Sequence, residues 1–475
     1  MTLYHEVAGK ISALINADVY PSGSRLPGVR RLSQQFGVSI STIVQAQRQL
    51  ENRGLISARP RSGYYVCEQQ WEKPALPQHS QAELKPVPVA GQELVLQLAK
   101  AANQADFIQL GAAVPDASLL PLRAIQRSIT KASRYHNQQI ATYTFPPGLP
   151  ELQQQIARRM HLSGCQVAPE QILITNGCQE SLSLALQTVA RPGDIIAVES
   201  PTFYGLLQVI EALGMKALEI PTDPSDGLSI RALELALEQW PVKACVLIPN
   251  YSNPLGCLMP ATRKQQLVAL AQRHNMLLIE DDVYQGLGFS GEYPPALFSL
   301  DQQDQGQNVI YCSSFAKTIS PGLRVGWMVL PDKLYQRAEY LKYVSNLATP
   351  TLPQMAVSDF LQQGGYERYL RRIQPQYADL TERFARAISR YFPANTRVSR
   401  PVGGFVIWVE LDERIDTLKL TQEALQQRIS IAPGIIFSAT QKYRHCIRLN
   451  CALPWTAGLT SSLQTLGELC LRHKT

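Results

Sequence analysis

The stretch VIYCSSFAKTISPGLRVGWMVL, residues 309–330, gives the strongest indication of how most of this chain folds. It contains two short apolar runs of the kind that form buried strands, and Lys317 follows the first of them. A lone lysine at the end of a strand is usually a solvated surface residue. Here hydroxyl residues flank Lys317 and Arg324 comes after it, so one loop can hold both a carbonyl compound on the lysine and the phosphate of that compound.

The same pattern recurs beyond residue 100, where short apolar runs alternate with helical stretches. Six runs predict buried strands of a largely parallel sheet: QILIT, DIIAVES, ACVLIPN, MLLIEDD, VIYCSSF and VGWMVL. Between them, stretches such as CQESLSLALQTVA and PATRKQQLVALAQRHN predict helices. The alternation predicts an α/β layered fold, in which a ligand would bind at the carboxyl ends of the strands.

Small and polar residues follow three of these predicted strands. After QILIT, the sequence NGCQ (176–179) opens a helix, and free backbone amides at the positive end of a helix suit a phosphate. The same sequence also fits an ordinary turn between a strand and a helix. Asn253 follows ACVLIPN, and the run IEDDVY contains Asp281, Asp282 and Tyr284. The strand ends therefore carry a set of groups that could surround one ligand.

In this order, the segments resemble fold-type I pyridoxal-phosphate enzymes of the aminotransferase class I family, over roughly residues 105–470. The resemblance implies a large α/β domain of fold type I with a small C-terminal α+β domain, and pyridoxal 5'-phosphate as cofactor. It implies Lys317 as the lysine that forms the Schiff base. Asp281 would pair with the pyridine nitrogen and make the ring an electron sink. The family's Asp-x-x-Tyr spacing selects Asp281, and Asp282 is expected to be structural.

The resemblance also implies which other side chains surround the cofactor. The expected catalytic residues are Lys317, Asp281 and Tyr284. The expected cofactor contacts are Asn253 and Tyr284 at the ring hydroxyl oxygen, and Gly177, Cys178, Ser314 and Arg324 at the phosphate, with Gln179 also in the cofactor site.

Two aromatic residues and an arginine complete the set that the resemblance implies. Phe203, in ESPTFYG, matches the aromatic residue that stacks on the ring, although Tyr204 beside it is a rival. Tyr143 matches a residue that family members contribute across a dimer interface to the neighbour's phosphate. Arg448 matches the arginine that binds the substrate carboxylate, for which a planar guanidinium is well shaped. Gly205 stands where a second arginine for a distal carboxylate could be, which points away from a dicarboxylic ligand.

The first 66 residues hold a concentrated positive charge. They contain eight Lys and Arg residues and three Asp and Glu residues, a net charge of +5 out of +7 for the whole chain. Such a segment on a nearly neutral body indicates a polyanionic partner, or otherwise a solvated basic face.

Helical spacing and turn residues in this basic segment predict a winged helix-turn-helix. Apolar residues recur at helical spacing over residues 4–16, and a short helix follows over Val29–Phe36. Ser39 can then cap a third helix over roughly Ile40–Asn52. The stretch LISARPRSGYYV predicts two short strands around a basic tip, a wing that can reach phosphate or the minor groove.

Residues 4–66 resemble the GntR-type winged helix, through the signature LPGVRRLSQQFGVSISTIVQAQRQLENRGLISARPRSGYYV. The resemblance implies double-stranded DNA as a partner. The residues that it implies at DNA are Arg30, Ser39, Ser41, Thr42, Arg61, Ser62 and Gly63. Two positions depart from the family pattern. Gly28 replaces the usual serine and weakens a helix cap, and Ile40 stands where an arginine is common, which bears on base readout there.

The sequence divides into a winged helix-turn-helix at residues 1–67, a proline-containing linker at 68–100 and an aminotransferase-like domain at 101–475. Nine cysteines without a CxxC pair indicate reduced thiols, and seven dispersed histidines lack metal-ligand spacing. We find no apolar stretch of about 18 residues and no signal-peptide pattern. We therefore expect a cytoplasmic protein with no membrane partner and no metal.

The combination of both parts resembles the MocR subfamily of GntR regulators. It implies a pyridoxal-phosphate-binding regulator that binds operator DNA through its winged helix and senses an amine or amino acid by imine exchange at Lys317. It also implies a homodimer in which the head of one chain crosses to the body of the other. The alternative is a functional aminotransferase that carries a DNA-binding head, because the set of cofactor residues is intact. Weak residual transamination is compatible with the regulator.

Overall fold

A computed structural model describes residues 3–16, 19–20, 23–60, 62–67, 73–81, 83–102, 104, 106–303 and 306–474. The chain divides into two compact units, one of Met1–Lys73 with Thr456–Ser461 and one of Pro74–Trp455 with Ser462–Thr475. We call residues 3–67 the head and the unit that begins at Pro74 the body. None of the helices in the described part of the chain is both long and apolar enough to cross a membrane.

The head is a winged helix-turn-helix, as predicted. Its elements are α1 (Leu3–Asn16), α2 (Val29–Phe36), α3 (Ile40–Asn52), β1 (Ile56–Arg59) and β2 (Gly63–Val66). The two strands pair antiparallel, with Arg59 opposite Gly63, and form the wing. The helices enclose a small apolar core that includes Ile11, Leu32 and Ile43. This core fixes the angle between the helices and leaves their polar faces in solvent.

Helix ends in the head follow the predicted residues. Ser39 accepts a hydrogen bond from the Thr42 amide at 3.2 Å, so it caps α3 as expected. Gly37 ends α2 with a φ of 64°, a left-handed conformation that glycine adopts without steric cost. Gly28 precedes α2 without a side-chain cap, which agrees with the expected loss at that position.

The body contains a large sheet, a smaller sheet and the helices that cover them. Its strands are β3 (Val87–Pro88), β4 (Ile108–Gln109), β5 (Ile172–Thr175), β6 (Ile195–Ser200), β7 (Lys216–Asp223), β8 (Gly227–Leu228), β9 (Val242–Leu247), β10 (Leu277–Asp281), β11 (Val309–Ser314), β12 (Gly326–Val329), β13 (Arg397–Val398), β14 (Val406–Glu410), β15 (Ile429–Ser430), β16 (Ala432–Pro433) and β17 (Cys446–Asn450).

The helices that follow the head are described by their bounds alone. They are α4 (Glu93–Ala102), α5 (Leu122–Tyr135), α6 (Asn137–Ile140), α7 (Pro150–Met160), α8 (Cys178–Val189), α9 (Tyr204–Ala212), α10 (Ile230–Gln239), α11 (Ala261–Arg273), α12 (Leu297–Gln303), α13 (Asp332–Asn346), α14 (Thr351–Gln362), α15 (Gly365–Tyr391), α16 (Thr417–Gln426) and α17 (Ala457–Lys474).

The large sheet has the strand order β3-β7-β6-β9-β10-β11-β12-β5, with β8 paired to β7. Strands β7, β6, β9, β10 and β11 run parallel to one another. Strand β12 lies antiparallel between β11 and β5. The prediction of a largely parallel α/β sheet is therefore confirmed. Because the parallel strands all end at one edge, the residues that follow β5, β9, β10 and β11 meet there.

The smaller sheet has the order β13-β14-β17-β16, and its strands are antiparallel. Every residue of β14 and β17 is buried. Arg448 lies in β17, so the smaller sheet carries a charged side chain inward.

Part of the predicted linker is ordered against the body. The Val398 amide donates to Ala75 O at 2.8 Å, and the Gln78 amide donates to Glu410 Oε2 at 2.7 Å. Strand β3 then pairs with β7, and helix α4 follows. The chain is thus held along the smaller sheet before it reaches the large one.

Candidate functional site

Lys317 lies in the turn after β11, at the edge where the parallel strands end. Its Nζ donates a hydrogen bond to Ala113 O at 2.7 Å. Burial and the neighbouring Arg448 guanidinium lower the pKa of the Lys317 ammonium to about 8. Since the ordinary value is 10.5, a much larger share of this amine is neutral near pH 7 than in a surface lysine. A neutral amine is the form that attacks a carbonyl carbon.

Asp281 is the last residue of β10 and is buried. Its Oδ1 accepts a hydrogen bond from Cys178 Sγ at 3.3 Å. Burial raises the pKa of the Asp281 carboxyl to about 6, although the bond from Cys178 acts in the opposite direction. Asp281 makes no ion pair with another described residue. It is therefore a buried carboxylate, mostly ionised at neutral pH, and suited to a protonated nitrogen of a ligand.

Residues 176–178, where β5 is followed by the start of α8, form a cradle at the helix N-terminus. Gly177 has a φ of 90°, and a Cβ placed there would lie 2.5 Å from Arg324 Nη2. Arg324 Nη2 donates to Asn176 O at 2.7 Å, which holds the guanidinium beside the cradle. Helix α8 has no side-chain cap, and its N-terminus lies next to this cation. This arrangement suits a phosphate group.

Three polar side chains, those of Glu180, Lys342 and Asn346, contact one another and hold the backbone of the cradle. Glu180 Oε2 accepts the Asn176 amide at 2.5 Å and lies 3.2 Å from Lys342 Nζ. Lys342 is only 1% exposed, and its Nζ also donates to Asn346 Oδ1 at 2.6 Å. Burial lowers the pKa of Lys342, and Glu180 opposes that change. The sequence analysis missed this group, although the i, i+4 spacing of Lys342 and Asn346 on α13 was a signal that both face the same neighbour.

Arg448 is fully buried on β17. Its Nη1 donates to Asn253 Oδ1 at 3.2 Å, and its Nη2 donates to Gly111 O. Its Nε has no partner among the described residues. The guanidinium carbon lies 5.3 Å from the centre of the Phe437 ring. A buried guanidinium with an unused donor is equipped to bind a carboxylate.

The aromatic residues predicted at the ring occupy two environments. Tyr284 is buried, its hydroxyl lies beside the Asn253 side chain, and burial raises the pKa of that hydroxyl. Phe203 and Tyr204 lie side by side with ring centres 4.9 Å apart. A Cβ at Gly205 would lie 2.5 Å from the Phe203 ring, so glycine makes room for that aromatic side chain. Gln179 Nε2 donates to Gly205 O at 2.7 Å and fixes this turn.

Two of the remaining predicted positions differ in exposure. Ser314, the last residue of β11, is buried, and its Oγ accepts the Ala316 amide at 3.4 Å. Tyr143 is 67% exposed and stacks on Phe145 with ring centres 5.6 Å apart.

Asp282, expected to be structural, accepts hydrogen bonds from Asn250 Nδ2 at 2.9 Å and the Tyr311 hydroxyl at 3.1 Å. No group of three or more described His, Cys, Asp or Glu residues is placed to hold a metal ion.

In the head, the predicted DNA-contacting residues lie on α2, at the start of α3 and on the wing. Arg30 is exposed in the first turn of α2. Ser39 Oγ lies 2.8 Å from both Ser41 Oγ and Thr42 Oγ1, so these three hydroxyls form one cluster.

The wing is held by contacts around one tyrosine. Ser62 Oγ lies 2.8 Å from the Tyr65 hydroxyl, and the Arg59 guanidinium carbon lies 4.2 Å from the centre of the Tyr65 ring. Gly63 has a φ of 100°, which favours glycine at the tip. Arg61 lies outside the described residues. The sequence analysis did not select Arg59, whose place beside the tip follows from the strand pairing.

Comparison with known families assigns both units. Residues 105–464 match the family described as Aminotransferase class I and II. Residues 3–66 match the family described as Bacterial regulatory proteins, gntR family.

Two relatives from Escherichia coli K12 share both parts. An uncharacterized HTH-type transcriptional regulator, YjiR, is 40% identical over 473 residues, which cover 99% of each chain. Another, YdcR, is 38% identical over 475 residues, again covering 99% of each chain.

A solved structure shares the fold of the body. It is LysN, the α-aminoadipate aminotransferase of Thermus thermophilus, in complex with N-(5'-phosphopyridoxyl)-L-leucine. The TM-score is 0.75 at 27% sequence identity, and the match covers 81% of this chain and 95% of LysN.

Proposed function

Because the chain belongs to the aminotransferase class I and II family and to the HTH-type transcriptional regulators with a gntR-family head, we propose that it is a MocR-type regulator. It would sense an amine or amino acid through bound pyridoxal 5'-phosphate. One observation carries the proposal. Lys317, Asp281 and the phosphate-shaped cradle at residues 176–178 meet at one edge of the sheet, in a chain whose other unit is a winged helix-turn-helix.

The side chains of the body fit pyridoxal phosphate. The cradle and Arg324 suit its phosphate, and buried Asp281 suits its protonated ring nitrogen. The buried hydroxyl of Tyr284 and the adjacent amide of Asn253 suit its ring oxygen. LysN, which has the same fold, holds a phosphopyridoxyl group. The cofactor is therefore pyridoxal 5'-phosphate, and Lys317 is the residue that would hold its aldehyde carbon.

When bound, the cofactor supplies an aldehyde that condenses with primary amines and a ring that withdraws electrons. The protein's part is to let an incoming amine replace Lys317. Lys317 Nζ would hold the aldehyde carbon of the cofactor, and an incoming amine would take its place there, giving up two hydrogens that Lys317 Nζ would take up. Ala113 O would accept a hydrogen bond from the released Lys317 amine, as it does now at 2.7 Å. Arg448 binds the carboxylate if the incoming amine is an amino acid.

We propose that this exchange changes how the heads bind operator DNA in the cytoplasm. The body would shift between two states that the effector stabilises unequally, which is what any ligand-driven switch requires. The basic head of the gntR family supplies the DNA-binding part. The homodimer, with the head of one chain on the body of the other, is part of this proposal.

An exposed aromatic patch supports the dimer. The patch consists of Tyr143, Phe145 and Tyr343, in which Phe145 is 51% exposed and lies 6.0 Å from Tyr343 between ring centres. Val344 beside it on α13 is also exposed. Exposed aromatic clusters of this kind mark protein interfaces. Tyr143 within the patch is the residue that would reach the partner's phosphate.

The second candidate function is a working aminotransferase. The observation that favours it is the lowered pKa of Lys317, because a neutral lysine can take a proton from a substrate carbon. A regulator should convert amino acids and a keto acid far more slowly than about 1 s⁻¹, the lower end of ordinary enzyme rates. Brisk turnover would favour the enzyme.

A spectral titration of the full-length protein tests the proposal. Protein loaded with pyridoxal phosphate should absorb in the visible region, and Lys317→Ala should abolish that band. Lys333→Ala, at an exposed lysine on α13, serves as the control and should keep it. Binding to a promoter fragment selected with the protein should then change with added amino acids in the wild type and not in Lys317→Ala. A colourless wild type, or DNA binding that no amine alters, would refute the proposed function.

A further inference from the structure

A cavity of about 420 Å³ lies in the body between helix α4 and the segments 109–112 and 430–436. Its volume is in the range of sites that hold small molecules. Apolar side chains form most of its wall, among them Val95, Leu98, Ala99, Ala432 and Ile436.

The cavity adjoins the proposed cofactor site through three residues in a row. Gly111 and Ala112 line the cavity. Gly111 O accepts a hydrogen bond from Arg448, and Ala113 O accepts one from Lys317. A molecule that bonds to the groups near Lys317 and Arg448 would therefore lie beside the segment 111–113, which also borders the cavity.

Aromatic side chains also connect the cavity with the proposed cofactor site. Tyr204 lines the cavity, and its ring centre lies 5.9 Å from the guanidinium carbon of Arg448. Ile436 also lines the cavity and precedes Phe437, which packs on the same guanidinium. The carboxylate-binding group and the apolar wall thus belong to one continuous site.

Polar side chains in the wall are already bonded within the protein. Ser430 Oγ accepts the Gly111 amide at 3.2 Å and donates to Gln109 Oε1 at 3.2 Å. Thr421 Oγ1 donates to Thr417 O at 2.6 Å. Lys100 lines the cavity as well, but it is exposed, and a solvated charge adds little to binding.

We propose that the effector is an α-amino acid with a bulky apolar side chain, of the size of leucine or phenylalanine. This inference rests on the proposed function, because the amino and carboxylate groups must first meet Lys317 and Arg448. The cavity then takes the side chain. Each methylene transferred from water into an apolar site favours binding several-fold, so L-leucine should bind roughly 10- to 100-fold more tightly than L-alanine.

The test uses full-length protein loaded with pyridoxal phosphate and follows the visible absorbance during titration with L-leucine, L-phenylalanine, L-alanine and L-glutamate. L-Leucine or L-phenylalanine should give the lowest half-saturation, and L-glutamate should do no better than L-alanine. Ala99→Trp places bulk in the cavity and should remove the preference for L-leucine while L-alanine still binds. Gln97→Trp, on the same helix and outside the cavity wall, is the control and should keep the preference.

Three outcomes would overturn the inference. If L-glutamate reached half-saturation at the lowest concentration, the cavity would bind an acidic side chain, paired with Lys100. Equal half-saturation for L-alanine and L-leucine would show that the side chain does not enter the cavity, and the proposed function would remain. If no amino acid changed the visible band, the proposed sensing of amino acids would be refuted, and so would the proposed effector class.

Discussion

The thiol of Cys178 donates a hydrogen bond to Asp281 Oδ1 across 3.3 Å, so the first residue of α8 touches the carboxylate at the end of β10. Cys178 therefore belongs both to the cradle at residues 176–178 and to the surroundings of Asp281, the proposed partner of the ring nitrogen. Burial raises the pKa of the Cys178 thiol, with the Asp281 charge as a second cause, so the thiol stays protonated and remains a donor. The contact favours the ionised form of Asp281 against the effect of burial.

Replacing this donor should move the pH dependence of cofactor binding. Asp281 has a pKa of about 6, so cofactor affinity should fall as the pH drops through that value and the carboxylate is lost. In Cys178→Ala the midpoint should lie at a higher pH, because the ionised form has lost a hydrogen bond. Cys178→Ser keeps a donor and serves as the control, with a midpoint at or below that of the wild type. Equilibrium titration with pyridoxal phosphate between pH 5 and 8 would measure all three, and identical midpoints would contradict the assignment.

The sequence predicted the parts of the candidate site that follow strands in short, contiguous motifs. Lys317 and Asp281 each come directly after or within an apolar run, so strand geometry alone places them at one edge of the sheet. Lys342 was missed because a lysine within a helix normally faces solvent. Its burial depends on Glu180, which is distant in sequence and close only in the folded body.

Strand β7 was missed for a similar reason. Its sequence KALEIPTD contains a glutamate and a proline, both unusual in a buried central strand. Glu219 is nonetheless buried, because Ser438 Oγ and the Ala439 amide each donate to Glu219 Oε1 at 2.7 Å. Helix α15 likewise contains Pro375, which in a sequence usually indicates that a helix ends. Partners supplied from far along the chain cannot be seen in a local pattern.

The partly buried amine of Lys317 should destabilise the body in the absence of cofactor. Its pKa is about 8 in the folded protein and 10.5 ordinarily, so between these values the unfolded chain binds more protons. The free energy of unfolding therefore rises with pH across that window, and below pH 8 the wild type carries the full cost. Lys317→Met should raise the stability of the cofactor-free protein at pH 7 by at most about 3 kcal/mol.

Thermal melting of cofactor-free wild type and Lys317→Met at pH 7 and pH 10 checks this prediction. The melting temperature of the variant should be higher at pH 7, and the difference should shrink as the pH approaches 10.5. Lys333→Met changes an exposed lysine and should show no such pH-dependent difference. A variant that is less stable at pH 7 than the wild type would refute the argument.

The buried group behind the cradle should control cofactor affinity without touching the cofactor. Lys342→Met leaves Glu180 without its cation, and Glu180 is the acceptor that holds the Asn176 amide. Hydrogen bonds to charged groups contribute about 1.5–3 kcal/mol, so the affinity for pyridoxal phosphate should fall roughly 10- to 100-fold. Lys333→Met on the same helix is the matched control. Unchanged affinity in a folded Lys342→Met would show that the cradle does not depend on this group.

The aromatic patch should be the interface of the dimer. Phe145→Glu places a charge in the patch and should raise the dimer dissociation constant at least tenfold, because a buried unpaired charge is costly. Sedimentation velocity over a concentration series measures the change. Leu235→Glu introduces the same charge at an exposed leucine on α10 and should leave the dimer intact. A wild type that stays monomeric at micromolar concentration while fully coloured would exclude the patch as a cofactor-completing interface.

The head should bind DNA through Arg30 and the wing, in a manner that depends on salt. Arg30 is exposed in the first turn of α2, and its loss should weaken binding to a duplex of any sequence. Each phosphate contact removed should reduce the slope of log affinity against log salt by about 0.9, because fewer counterions are released. Arg61→Ala, at the predicted tip of the wing, should act in the same direction.

Lys10→Ala is the control. It removes an equal charge from α1, where Lys10 pairs with Glu6 at 2.9 Å, and should change the slope little. Fluorescence anisotropy at several KCl concentrations gives the slopes, and an unchanged slope in both arginine variants would mean that DNA meets another face of the head.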